Sequence, residues 1–307
     1  MRLSVLFAYA ACAVIWGTTF FAIRVCIGAG GYPTYLAAAL RFTIAAALLG
    51  LVVAAGWGRP GPRGARAWSW VVFAGVLNAG GYGLVYTAEE SIPGALGAVV
   101  YGTAPLLTGV MAALSGTERV TRPAIIGALI SLCGIAVISG ERLQVSSAQA
   151  AGVAMVLASV VLSSTYNVVL KRHAGRQHPL ATNAVFLATT AVALCLYAAF
   201  FERQAPPWPP PFKPTMALLY LAVVGSIVAF GSYFYLLKNV RLMASSTLAL
   251  VTPILAIAVD AIWESQKIAP LTYLGAAITL VGVSLNLFFG APSALAAPTS
   301  DARPPTG

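Results

Sequence analysis

Polar side chains stand inside apolar stretches of this chain, where they are expensive. Asn78, Tyr82 and Tyr86 recur at i, i+4 and i+8, which places them on one face of a helix. Ser163, Tyr166 and Asn167 span a single turn, while Trp16 and Tyr101 sit in separate apolar blocks. At membrane depth, hydroxyls, amides and polar-edged rings line a cavity or tie helices together. In the first role a phenol offers its ring face to an apolar group and its hydroxyl to a carboxylate or amine. Trp16, Asn78, Tyr82, Tyr101, Ser163, Tyr166 and Asn167 are therefore the candidate substrate-binding residues. Helix–helix glue is the competing role for each.

Arg41 lies seven residues into its apolar block, about 10 Å along a helix at 1.5 Å per residue. A structural ion pair with Glu89 or Glu90 is expected, with a substrate carboxylate as the alternative partner. Pro105 and Pro253 each remove a helical donor within a block and are candidate hinges. Static kinks are the alternative.

Catalysis has little to work with. No apolar block contains a histidine, and neither H-E-x-x-H nor G-x-S-x-G occurs. His173 and His178 accompany Lys171, Arg172 and Arg176 in one polar break, which reads as a solvated loop. Cys12, Cys26, Cys133 and Cys195 form no C-x-x-C pair, so no metal site or disulfide frame is indicated. No cofactor and no catalytic residue are expected.

The elements that must position these residues are membrane helices. The chain has 307 residues, 59% hydrophobic and only 8% charged, against about a quarter charged in soluble domains. Ten blocks of about 20 apolar residues are long enough to cross hydrocarbon: roughly 4–24, 34–56, 67–88, 92–114, 121–140, 149–170, 182–202, 214–237, 242–263 and 268–290. The fold class is all-α integral membrane. The net charge of +10 is scattered singly through loops, with no basic stripe for nucleic acid. Lys and Arg fall 12 against 5 on alternate sides when the N-terminus is cytoplasmic. By the positive-inside rule both termini are then expected in the cytoplasm. Residues 291–307 read as a disordered cytoplasmic tail.

A shift of 148 residues lays Gly127-Ala128-Leu129-Ile130-Ser131-Leu132-Cys133-Gly134 over Gly275-Ala276-Ala277-Ile278-Thr279-Leu280-Val281-Gly282. The same shift superposes Pro105 on Pro253 and Arg24 on Arg172. Residues 4–140 and 149–290 are then two five-span units. Five is odd, so the second unit enters the membrane from the opposite side. Such inverted repeats build alternating-access carriers.

Trp16-Gly17-Thr18-Thr19-Phe20-Phe21 followed by Arg24, Arg41-Phe42, the paired prolines and the glycine-bearing fifth and tenth spans resemble the EamA-type drug/metabolite transporter superfamily. The resemblance covers about residues 4–290; the second half departs from it at Ser164, where the first half has Trp16. It implies a ten-helix carrier of small metabolites, often an amino-acid exporter in bacteria. The expected function is export of amino acids, aromatic ones included, or similar metabolites across a bacterial inner membrane. One chain holding both halves suffices as a monomer. A multidrug exporter of lipophilic cations is the alternative, and a channel the more remote one.

Overall fold

The computed structural model describes residues 3–58, 65–89, 97, 100–139, 149–173, 177–263 and 270–289. The expected tail 291–307 lies outside them. Among the described residues, eight helices are long and apolar enough to cross a membrane: α1 (Leu3–Ile27), α2 (Thr34–Ala54), α3 (Ala65–Glu89), α6 (Ala150–His173), α7 (Pro179–Phe201), α8 (Phe212–Asn239), α9 (Leu248–Trp263, preceded by the short turn Leu242–Ser246) and α10 (Pro270–Phe289). Two shorter apolar helices are α4 (Ala104–Leu114) and α5 (Arg122–Ser139). Helices are the expected solution, because hydrocarbon offers no partner to an open backbone. Large apolar side chains such as Phe7, Leu51, Val192 and Phe200 point outward, whereas Ala38, Ala39 and Ala45 are buried where α2 meets its neighbours. Close backbone approach over small residues is how membrane helices pack. This is a multi-pass membrane protein.

The fourth block is interrupted, and its expected start at 92 lies outside the described residues. The chain is helical at Val100 and Tyr101, turns at Gly102 and Thr103, and then starts α4. Thr103 Oγ1 donates to the Val100 carbonyl at 2.6 Å, closing that turn. Pro105 thus lies in the first turn of α4 and not in mid-helix. There its missing N–H costs nothing, because first-turn donors have no intrahelical acceptor. Pro105 follows an interruption of the span, whereas Pro253 lies inside the continuous helix α9.

The helix pairings follow a rule. α1 packs on α8 and α9, α6 on α3 and α4, α2 on α7, and α5 on α10. Replacing each helix by the one five places away leaves those pairings unchanged. At the α5–α10 seam, Ser131 Oγ donates to the Thr279 carbonyl at 3.0 Å and Thr279 Oγ1 donates back to the Ser131 carbonyl at 3.4 Å. A Cβ on Gly127 would come within 2.5 Å of the Gly282 oxygen, and one on Gly275 within 2.7 Å of the Gly134 oxygen. Residue numbers rise along one helix as they fall along the other, so the pair is antiparallel.

One end of the bundle gathers the start of α1 and the ends of α4, α6 and α8. Tyr235 donates to Ser4 at 2.9 Å, and Arg172 to the Ser115 carbonyl at 3.0 Å. Glu118 accepts from the Leu242 backbone at 2.8 Å and pairs with Lys171 at 3.5 Å. Arg241, bonded to the Asn286 carbonyl at 3.0 Å, is pushed below its ordinary value by burial, with Glu118 opposing. At the other end Tyr32 meets Thr215 at 2.9 Å and Trp208 is exposed. The two histidines are more constrained than a solvated loop: His173 stacks on Trp70 at 4.6 Å, and His178 Nδ1 accepts from the Leu180 backbone at the start of α7.

Candidate functional site

Aromatic rings from five helices meet in the middle of the bundle. Phe230 of α8 is the hub. It lies 5.7 Å from Trp16 of α1, 6.2 Å from Phe42 of α2 and 5.5 Å from Phe186 of α7. Tyr82 of α3 meets Phe42 edge-on at 5.1 Å. Such edge-to-face pairs set the positive rim of one ring against the negative face of another.

Most of the expected binding residues converge here. Trp16 also lies against Tyr233 at 5.2 Å, and Tyr233 donates to Asn167 Oδ1 at 2.9 Å. Tyr101 donates to Ser163 Oγ at 3.4 Å. Tyr166 packs 5.6 Å from Phe186, and its phenol lies within electrostatic reach of those of Tyr82, Tyr101 and Tyr233. Trp16, Tyr82 and Tyr101 are half-buried, whereas Ser163, Tyr166 and Asn167 are buried.

Asn78 does not join this group. Its Nδ2 donates to Thr190 Oγ1 of α7 at 3.2 Å, and Thr190 in turn donates to the Gly75 carbonyl at 3.1 Å. It acts as helix–helix glue, one turn of α3 away from Tyr82. The i, i+4, i+8 stripe therefore divides between two jobs.

Arg41 is buried, with 3% of its surface exposed. Its Nε donates to Ser226 Oγ at 2.9 Å and its Nη2 to the Gly225 carbonyl at 3.0 Å. The guanidinium also lies over the rings of Phe42 at 5.2 Å and Tyr82 at 6.0 Å. The side chain of Glu89 and all of Glu90, the expected ion-pair partners, lie outside the described residues. Its acceptors on α8 exist because the helix changes pitch. Val223–Val228 is a π turn, Ser226 Oγ donates back to the Leu221 carbonyl at 3.0 Å, and the Gly225 carbonyl is released toward Arg41. Single π turns of this kind recur at functional sites. Gly225 also leaves the room, since a Cβ there would lie 3.0 Å from Thr19 and 3.3 Å from Arg41.

Phe42, Gly225, Phe230 and Tyr233 are central to this arrangement and were not among the expected binding residues. Gly225-Ser226 in a largely apolar span was the readable signal for one of these positions. Phe42 and Phe230 look like ordinary span residues, and only helix rotation makes them neighbours.

The arrangement couples apolar ring faces to phenols, an amide and one guanidinium, which is the inventory of a site for small amphiphilic molecules. The comparisons agree with a transport role. The uncharacterized inner membrane transporter YedA of Escherichia coli (strain K12) is 27% identical over 280 residues, covering 89% of this chain and 87% of that protein. A probable terminal-alkyne amino-acid exporter of Streptantibioticus cattleyicolor is 27% identical over 278 residues, covering 89% of each. A solved protein crystal structure superposes with a TM-score of 0.77 at 22% identity, over 94% of this chain and 99% of that one, which shows a shared fold. The EamA-like transporter family model matches twice, over residues 3–140 and 150–288. With both halves matched, the chain belongs to the EamA-like transporter family.

Proposed function

We propose that this transporter works by alternating access, with ten membrane helices forming two inverted five-helix repeats, and that it exports amino acids, aromatic ones included. The observation that carries this reading is the invariance of the helix pairing under exchange of halves, with α5 and α10 antiparallel across the seam. A two-fold axis perpendicular to the helices then lies in the membrane plane, and exchanging the conformations of the halves interconverts two access states. The substrate class is supported by the Trp16, Tyr82, Tyr101 and Tyr233 rings beside the Asn167 amide, and by the relative named as a probable amino-acid exporter. Ser163 and Tyr166 complete the proposed lining, Pro253 is the proposed hinge, and one chain acts as a monomer.

Orientation follows from charge. Arg66, Arg119, Arg122, Lys171, Arg172, Lys238 and Arg241 cluster at the end where α1 starts, against Arg24, Arg203 and Lys213 at the other. The first end is the cytoplasmic one by the positive-inside rule, in a bacterial inner membrane. A cysteine introduced in the 59–66 loop is then labelled by impermeant maleimide only from the cytoplasmic side; labelling in intact cells overturns the orientation.

The test of function is counterflow in proteoliposomes over a panel of amino acids and lipophilic cation dyes. Saturable, trans-stimulated exchange of amino acids is expected. Single-channel currents overturn the carrier mechanism, and exchange of dyes without amino acids overturns the substrate class.

A further inference from the structure

Arg41 lies in a wedge between α1, α2, α3 and α8, toward the end of the bundle opposite the start of α1. Beside its side chain about 10 Å³ stays open, which is room for one particle about the size of a water molecule. Ile23, Ile27, Ala37, Ala38 and Leu221 make most of the wall apolar. Cys26 also lines the wedge, and its thiol, within electrostatic reach of the guanidinium, is a weak S–H donor.

Among the described residues, no negative charge meets this buried guanidinium. Nε donates to the Ser226 hydroxyl at 2.9 Å and Nη2 to the Gly225 carbonyl at 3.0 Å, with the rings of Phe42 and Tyr82 at 5.2 Å and 6.0 Å. All four groups are neutral. The described carboxylates are engaged elsewhere: Glu118 pairs with Lys171, and Glu202 accepts from the backbones of Tyr35, Arg203 and Gln204. The remaining nitrogen, Nη1, donates to none of the described residues. Nor is it sealed: the buried atoms left without a partner include both amide atoms of Gln177 and Asn183 Oδ1 but not this nitrogen. Its open surface faces the wedge that Arg41 lines. A cation held at membrane depth by neutral groups alone is costly, and buried charges are normally met by an opposite one.

We propose that this wedge holds one small monovalent anion of halide size against Arg41 Nη1. The guanidinium supplies charge and unused N–H donors, which bind an anion more strongly than they bind water. The Cys26 thiol supplies a further weak contact. An apolar wall suits an anion that gives up its water readily, as chloride and bromide do. The open volume of about 10 Å³ decides against phosphate, sulfate or a whole amino acid. Because Arg41 ties α2 to α8, an anion that neutralises it favours the closed form of this wedge. The site stands whether or not the transported substrate is an amino acid.

The experiment measures the melting temperature of the full purified chain in detergent while sodium chloride or sodium bromide replaces sodium gluconate at constant ionic strength. Each variant is compared with itself. Both halides are expected to raise the wild-type value saturably, as a ligand of the folded state does. Arg41→Gln removes the charge, whereas Ala37→Val keeps Arg41 with both its bonds and fills the wedge. Each is expected to raise the half-saturating chloride concentration roughly tenfold. Ala37→Val decides the matter should Arg41→Gln fail to fold. Equal halide responses of wild type and Ala37→Val overturn the proposal, because the effect is then one of salt on the protein at large. Stabilisation of the wild type by amino acids and not by halides also overturns it, and assigns Nη1 to a substrate carboxylate. Failure of amino-acid counterflow with the halide response intact overturns the transport reading alone and leaves this site standing.

Discussion

Two wedges of the molecule occupy matching places in the two halves and differ in nearly everything else. Ile23 and Tyr86 line one; Lys171 and Phe234, each 148 residues further on, line the other. The first wedge measures about 10 Å³ and the second about 110 Å³. Side chains account for the contrast. Arg41 of α2 reaches across the first wedge to Ser226 and Gly225 of α8 and fills it. The position 148 residues after Arg41 is Thr189, a short side chain that donates to the Val185 carbonyl of its own helix and lies outside the lining of the second wedge. Duplicated backbone thus supplies related wedges, and the side chains that line them differ.

The α5–α10 seam holds backbones in close approach over glycine, so disturbing it gives the largest expected effect. Gly127→Leu drives a side chain into the Gly282 backbone, where even a Cβ would lie 2.5 Å from the oxygen. The helices must separate or rotate, at about 3 kcal/mol or more. Loss of monodisperse protein on size exclusion is expected, whereas Gly50→Ala, which meets nothing within 4 Å, is expected to behave as wild type. Equal stability of the two variants refutes the shared seam.

Next come the rings between the two wedges. Tyr82→Ala removes the edge-on partner of Phe42, and Tyr101→Ala removes the donor to Ser163. Either is expected to abolish or sharply reduce counterflow at unchanged membrane expression. Wild-type transport by both across a substrate panel makes these tyrosines packing residues.

Arg41→Ala tests why one wedge is shut. Two charge-assisted hydrogen bonds to α8 are lost, worth about 2 kcal/mol after water is restored to the groups. Arg41→Lys keeps the charge and one donor, so its melting temperature should fall less. Cys26 lines the same wedge and is fully buried. It should become reactive to a small thiol reagent in Arg41→Ala and not in Arg41→Lys, with a Cys26→Ser background to subtract Cys133 and Cys195. A stable Arg41→Ala protein that has lost substrate binding makes Arg41 a substrate residue instead.

The apolar blocks were legible because hydrocarbon thickness imposes length, and the helices follow them within a few residues at most boundaries. α4 is the exception. Gly102 and Thr103 break the block, and a break between two apolar runs leaves hydropathy unchanged. Glycine spacing on the fifth and tenth spans announced close packing, and Gly127 and Gly275 do meet backbone. What sequence could not carry was rotation about each helix axis. Asn78 and Tyr82 share a face by periodicity, but one meets Thr190 and the other Phe42. The acceptors of Arg41 were equally hidden. Charge arithmetic points to a carboxylate and is silent on the Gly225 carbonyl and the Ser226 hydroxyl, which a π turn of α8 presents to the guanidinium.

The smallest predicted effect separates the two roles a central tyrosine can have. Tyr101 donates to Ser163 at 3.4 Å, a long bond that contributes little to holding α6 in place. Tyr101→Phe keeps the ring and its packing and removes only the hydroxyl. If the phenol acts solely inside the protein, transport should not change, since Ser163 Oγ already donates to the Val160 carbonyl at 3.1 Å. If it turns to a substrate carboxylate or amine, one hydrogen bond is lost from the complex, about 1 kcal/mol or roughly fivefold in apparent affinity. The loss should then appear in half-saturating concentration with maximal rate preserved, because the bond forms on binding. Ser163→Ala is the companion variant: it frees the phenol and removes the hydroxyl of a proposed lining residue, so a loss there reports the serine's own contact. Loss in Tyr101→Phe with affinity kept in Ser163→Ala assigns the contact to the phenol; loss in Ser163→Ala alone assigns it to the serine.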